Sequence, residues 1–166
     1  MKKNLLTMMA LLLVFSLMLA AGCSGAEDPG AESESEGAAE AAWTLTIVGP
    51  GGEEETRVSL ESIKSMSAVE LEVEKEEELI NLKGALLSDI LAEAGISEAG
   101  NLNLIAADGY SVSISGDVAF SENTILAYES NGEDLSSDDK NGPLRLVSTE
   151  ESPKAWVGQL TTIEVE

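Results

Sequence analysis

From Trp43 onward the apolar residues arrive in short runs, each closed by a turn-forming pair before a helix-length stripe develops. Trp43-Thr44-Leu45-Thr46-Ile47-Val48 stops at Gly49-Pro50-Gly51-Gly52. Asp108-Gly109 separates Leu102-Asn103-Leu104-Ile105 from Ser111-Val112-Ser113-Ile114, and Asn131-Gly132 follows the run from Thr124 to Tyr128. Short, β-branched, punctuated runs of this kind read as strands and hairpins. Val69, Leu71 and Val73 alternate with Glu70, Glu72 and Glu74, which predicts a half-buried strand with a carboxylate face. Thr56-Arg57-Val58, Leu79 to Leu82, Leu144 to Val147 and Ile163-Glu164-Val165 complete the expected strands. Helical pattern is brief. Ser59 is placed to N-cap a helix from Leu60 to Met66, with Leu60 and Ile63 inward. Leu86, Leu87, Ile90 and Leu91 share one helical face that ends at Gly95, and Ala155 to Leu160 suits a single helical turn. So few helices leave no room for repeated βαβ units. The expectation is an α+β, mostly β domain over residues 43–166, built on one core.

The chain before this domain reads as an address and a tether. Lys2 and Lys3 precede an uncharged, mostly apolar run from Leu5 to Ala21, with a small-residue exit at Ala20-Ala21-Gly22. This is the pattern of an export signal. Leu19-Ala20-Ala21-Gly22-Cys23 resembles the lipobox of bacterial lipoproteins, with Ala20 where Leu is usual three places before the Cys. The resemblance implies that residues 1–22 are a lipoprotein signal peptide and that Cys23 is the site of lipid attachment. The implied partner is a membrane, and the implied location is the outer face of the bacterial cell membrane. Residues 23–42 would then be the lipidated Cys and an acidic linker. Glu27, Asp28, Glu32, Glu34, Glu36 and Glu40 lie there with no basic residue, a composition that predicts disorder.

Composition removes whole classes of chemistry. The chain has no His, so imidazole bases, Ser-His-Asp or Cys-His nucleophile systems and HExxH zinc sites are excluded. Its single Cys excludes an intramolecular disulfide, a thiolate zinc cluster and an iron–sulfur site. A formal net charge of −22 repels phosphate backbones, so no nucleic-acid partner is expected. Glu133, Asp134, Asp138 and Asp139 offer oxygens of the type Ca²⁺ takes, but their spacing lacks the EF-hand pattern. A solvated loop is the expectation, and no metal site is assigned.

Four segments, taken in order, resemble the molybdopterin-binding domain of sulfite oxidase-type oxidoreductases. They are Leu82-Lys83-Gly84-Ala85-Leu86-Leu87-Ser88-Asp89-Ile90-Leu91 with Gly95 after it, Ala106-Ala107-Asp108-Gly109-Tyr110, Ile125-Leu126-Ala127-Tyr128-Glu129-Ser130-Asn131-Gly132, and Gly142-Pro143-Leu144-Arg145-Leu146-Val147. Lys154-Ala155-Trp156-Val157, leading into Ile163-Glu164-Val165, extends the set. The resemblance covers about Leu79 to Glu166 and implies the compact β-rich fold of that family. The first segment is similar to the family's glycine-x-x-leucine helix start. In catalytic members the resemblance also implies a molybdenum held by a pterin dithiolene and by one cysteine thiolate that precedes this helix. The corresponding stretch here, Glu70 to Lys83, has no Cys, and the family's tryptophan just before the glycine is absent. Glu or Asn does not replace a soft thiolate without changing the metal's electronics.

The candidate ligand-binding residues are Asp108, Tyr110, Arg145 and Trp156. Arg145 suits an anion such as a carboxylate or a pterin phosphate. Trp156 suits stacking on a planar ligand, and Asp108-Gly109-Tyr110 suits a pocket mouth facing Pro143-Leu144-Arg145. Each has a plainer structural expectation: an ion pair for Arg145, a core anchor for Trp156, and a hairpin turn with a packed Tyr for the third. No catalytic residue is assigned. The functional expectation is a membrane-anchored lipoprotein whose domain is a non-catalytic module for an unidentified small ligand or protein, with no cofactor. The alternative is a molybdopterin-dependent oxidoreductase, or a subunit of one, in which the resemblance supplies molybdopterin.

Overall fold

The computed structural model describes residues 42–75 and 78–166. The expectations for the signal peptide, Cys23 and all of the linker but Ala42 lie outside the described residues.

Among the described residues ten strands and three short helices follow one another as β1 (Thr44–Val48), β2 (Glu55–Ser59), α1 (Leu60–Ser65), β3 (Ala68–Lys75), β4 (Glu78–Leu86), α2 (Leu87–Glu93), β5 (Asn101–Ala106), β6 (Ser111–Ser115), α3 (Gly116–Ala119), β7 (Thr124–Ser130), β8 (Glu133–Asp134), β9 (Arg145–Ser148) and β10 (Leu160–Val165). They form two sheets. The first has the order β2-β1-β10-β5-β6; the second runs β3-β4-β7-β8, with β9 also paired to β7. This is the mostly-β architecture expected from the sequence. Its parallel contact is between the first and last strands, where Thr46, Ile47 and Val48 of β1 lie opposite Thr162, Ile163 and Glu164 of β10. The Trp43 indole N–H ties the same ends together by donating to the Leu160 carbonyl at 2.9 Å.

Alternation places one side of each sheet in the main core. Leu45, Ile47, Leu102, Leu104 and Ile163 come from the first sheet, and Ala85, Leu126, Tyr128 and Leu146 from the second. Ile63 of α1 and Leu87, Ile90 and Leu91 of α2 fill this core from the helices. The opposite face of the second sheet carries a smaller cluster of Val73, Leu82, Ile125, Ala127, Leu135, Val147 and Trp156. The second sheet is therefore apolar on both sides around β7, whose first five residues are all buried.

Local chemistry sets the element ends. The Ser59 hydroxyl accepts from the Ser62 amide at 3.1 Å and caps α1, as expected. Asn131 and Gly132 take φ of 50° and 82°, which is the backbone a two-residue hairpin loop requires between β7 and β8.

Two expectations are corrected. The strand expected over Leu79 to Leu82 continues through Gly84 to Leu86, so that Leu86, expected on the helix, ends β4 and α2 begins at Leu87. The cause is pairing with β7: Gly84 sits opposite Ala127, beside a register shift at Lys83, and a Cβ at Gly84 would overlap the Leu126 carbonyl. The helical turn placed over Ala155 to Leu160 lies instead at Pro153–Ala155, while Leu160 already belongs to β10. Pro at the start of a helical turn loses no hydrogen bond, which favours the earlier position.

Candidate functional site

The outer face of the second sheet positions the candidate residues. β9 pairs with β7 so that Arg145 lies opposite Ala127 and Val147 opposite Ile125. Ala127, Ile125 and Val147 belong to the outer cluster, whereas Leu144 and Leu146 enter the main core. The period of two therefore sends Arg145 to the outer face, where Trp156 covers the cluster.

Trp156 is held rigidly. Its Nε1 donates to the Ser148 carbonyl at 2.9 Å, and Ser148 is itself buried against Thr124, the two hydroxyls 2.8 Å apart. The Arg145 guanidinium lies over the Trp156 ring, its central carbon 5.2 Å from the centroid. This is within cation–π range. The Nε of Arg145 is buried and has no acceptor among the described residues. Desolvation by burial lowers the Arg145 pKa, opposed by the charge of Asp138. Yet Asp138 is occupied elsewhere. Its carboxylate accepts from the Lys140 amide at 2.9 Å, the Asn141 amide at 3.1 Å and the Asn141 side-chain amide at 2.7 Å. Those bonds, the side-chain one first, hold its pKa below the usual carboxylate value.

The expectation of a structural ion pair for Arg145 is thus corrected. The ion pairs among the described residues are Arg57–Glu55, Lys64–Asp134 and Lys83–Glu129. Trp156 does serve as the anchor of the outer cluster, and it also forms the platform under Arg145. Tyr110 is 52% exposed, and its hydroxyl donates to the Lys154 carbonyl at 3.2 Å. That bond straps the β5–β6 hairpin to the loop that carries Trp156. Asp108 stays within its own turn, where its carboxylate accepts from the Tyr110 amide at 2.9 Å. The structure therefore joins Arg145 to Trp156, brings Tyr110 to the neighbouring residue pair, and leaves Asp108 as a turn former. The expected mouth between Asp108-Gly109-Tyr110 and Pro143-Leu144-Arg145 is bridged by the Lys154–Trp156 segment rather than open. Three surface depressions of about 300, 520 and 480 Å³ are lined by other residues. Ser148, which positions Trp156, carries no pattern that sequence reasoning singles out, and Asp138, which acts on Arg145 electrostatically, reads from the sequence only as part of an acidic loop.

A molybdenum–pterin group asks for a thiolate and for cations that anchor its phosphate. The stretch where the thiolate would lie is an antiparallel hairpin in unbroken register, from Ala68 opposite Ala85 to Lys75 opposite Glu78. Its polar side chains are already partnered: Lys83 donates to Glu129 of β7 at 3.2 Å, and the Asn81 side-chain amide to Glu70 at 3.4 Å. The residues present do not fit the metal. They do supply one desolvated guanidinium on an aromatic platform, which suits an anion. Among the described residues no group of three or more Asp, Glu, His or Cys converges on a metal position. The acidic loop spends Asp134 on Lys64 and on the Ser136 amide, and Asp138 on its own backbone. No helix among the described residues is long and apolar enough to cross a membrane.

Comparisons with known proteins agree with this architecture. The model of the oxidoreductase molybdopterin binding domain family matches residues 79–166. The crystal structure of the sulfane dehydrogenase SoxCD from Paracoccus pantotrophus has the same fold, with a TM-score of 0.63 at 19% identity. That match covers 74% of this chain and 38% of the SoxCD chain, so the present chain spans well under half the length of its structural relative. No curated protein matches the chain.

Proposed function

This chain belongs to the oxidoreductase molybdopterin binding domain family, and on that premise we propose that it is a non-catalytic member. On this reading it is a lipoprotein, anchored through Cys23 outside the bacterial cell membrane, whose domain binds a small anionic ligand. One observation carries the non-catalytic part: the chain's only Cys is Cys23, outside the folded domain. The domain therefore has no thiolate to complete the ligand set that catalytic members use, and no carboxylate matches a thiolate's softness. The ligand class follows from Arg145. A half-buried Arg145 with a buried, unpartnered Nε, stacked on an indole, favours a ligand with an anionic group beside a planar or apolar body.

The test is elemental molybdenum, with pterin fluorescence, on the full-length protein purified from its own membrane. The expected result is no molybdenum. A stoichiometric molybdenum signal would restore the oxidoreductase reading, which the family match favours, and would require a ligand set without sulfur.

A further inference from the structure

Of the strands at sheet edges, β3 is the one built to accept another strand. Among the described residues β3 has β4 as its only strand partner, and all eight of its residues pair with β4 without a bulge. Every second backbone N–H and C=O of an edge strand points away from its neighbour. Along β3 these groups form no turn or loop hydrogen bond to any described residue. The other edges are shorter or blunted. β2 and β6 have five residues each, and β8 has two. The free side of β9 is covered by the segment ahead of β10, where Leu146 and Val157 are joined at 2.8 Å and Leu160 and Leu144 at 3.0 Å.

The usual devices that protect a long edge are charged side chains, a Pro, a bulge or an inward-pointing charge. On β3 the row of Glu70, Glu72 and Glu74 is the device present, and it repels acidic strands while leaving basic ones free to pair. β3 has neither Pro nor bulge. Its sequence Ala-Val-Glu-Leu-Glu-Val-Glu-Lys alternates strictly between apolar and charged residues from Val69 to Glu74. Glu70, Glu72 and Glu74 are exposed on one face, while Val69 and Leu71 are only half-buried on the other. The apolar row of the outer cluster thus runs out to the edge and ends there unfinished.

We propose that the β3 edge is a docking site for an extended segment of a partner protein that alternates basic and apolar residues. Charge selects this occupant. When a strand is added to a sheet, side chains directly opposite share a face. A second copy of β3, added antiparallel about a two-fold axis, sets Glu opposite Glu, and such like-charge pairs are destabilising. A segment with Lys or Arg at alternate positions sets cations opposite Glu70, Glu72 and Glu74. Its intervening apolar residues continue the row of Val69, Leu71 and Val73. Main-chain bonds supply affinity and the alternation supplies specificity. This site is independent of Arg145, which lies on β9, across β7 and β4 from β3.

The test uses the full-length chain and three fluorescein-labelled octapeptides: alternating Lys and Val, the same composition with the Lys residues contiguous, and alternating Glu and Val. Anisotropy is read at an ionic strength of about 0.15 M, where non-specific attraction to an acidic protein is screened. The alternating Lys peptide is expected to bind at least about ten-fold tighter than the contiguous one. It should slow hydrogen exchange at alternate amides of residues 68–75. The Glu70→Lys, Glu72→Lys, Glu74→Lys triple variant is expected to reverse the preference towards the Glu peptide. Equal binding of the two Lys peptides, or binding with no protection along β3, overturns the proposal. The exchange experiment needs only the unaltered chain, so the outcome stands even if the triple variant fails to fold.

Discussion

Replacing Arg145 by Met separates a structural guanidinium from a functional one. If Arg145 completed a buried ion pair, its removal would strand a partner charge and cost about 3–5 kcal/mol. The structure gives it no such partner, and its Nε is a buried donor without an acceptor. An unsatisfied buried donor costs about 1–3 kcal/mol, which Arg145→Met recovers. The substitution forfeits the stacking on Trp156, worth about 0.5–2 kcal/mol. The methionine side chain keeps the packing of the aliphatic stem against Ala127 and Val147. These contributions cancel to within about 1 kcal/mol, or about 3–5 °C in Tm for a domain of this size. Urea denaturation of the two proteins, with the slope unchanged, measures the difference directly. A loss of 3 kcal/mol or more would refute the reasoning, because it would show that Arg145 holds a charge partner after all. Near-neutral stability combined with loss of anion binding is the expected outcome on the proposed function.

Three further outcomes follow from other contacts. Gly84→Ala drives a methyl into the Leu126 carbonyl and is expected to destabilise the domain by about 2–3 kcal/mol, seen as a lower urea midpoint. Lys64 holds the Asp134 carboxyl down to a pKa of about 2 from 3.8, chiefly through its hydrogen bond. A depressed carboxyl stabilises the fold above its unfolded pKa, so this contribution is complete above about pH 4 and disappears as the pH falls to about 2. The pair is half-exposed on the Asp134 side, which limits it to about 1 kcal/mol, and Lys64→Met should flatten the fall in Tm over that window. On the proposed lipid anchoring, Cys23→Ser moves the protein from the detergent-rich to the aqueous phase in a phase-partition assay. Retention in the detergent phase would refute that anchoring.

Strand content and most turns were legible because they are local. Residues 69–74 alternate, Ser59 precedes its helix, and Asn131-Gly132 is the preferred two-residue hairpin loop. The errors arose where distant pairing overrode local pattern. Gly84-Ala85-Leu86-Leu87 is compatible with a helix start, but β7 extends the strand through Leu86. The short helix α3 escaped notice although Ser115 caps it by accepting from the Val118 amide at 3.4 Å, because Gly116 weakens its helical pattern. At the site, the types of Arg145 and Trp156 marked them as candidates, whereas their stacking depends on a turn at Pro153–Ala155 that was placed too late. Nothing in the sequence separates an Arg that pairs with a carboxylate from one that does not. Asp138 lies near enough to act on Arg145 electrostatically, but its oxygens are taken by the Lys140 and Asn141 amides.

The fold and the redox chemistry of this family are separable, and this domain shows where the division falls. A molybdenum centre depends on one thiolate, and a chain without that atom loses the metal ligand at a single position. The surrounding sheet gains nothing from the thiolate. Its stability rests on the two apolar clusters on either side of β7, which are fully built here. Anion recognition is likewise independent of the metal, because it needs only a desolvated cation held on a rigid support. On the proposed reading Arg145, Trp156 and the Ser148 carbonyl provide that support from β9 and the loop after it, with Trp156 packed in the same outer cluster as Val73 and Leu82 of the β3–β4 hairpin. A domain without the thiolate, on the same reading, keeps its fold through these two clusters and keeps Arg145 for an anion. The row of glutamates along β3 lies in the stretch where the thiolate would be, and on the proposed docking it is the part of the molecule where a partner is to be sought.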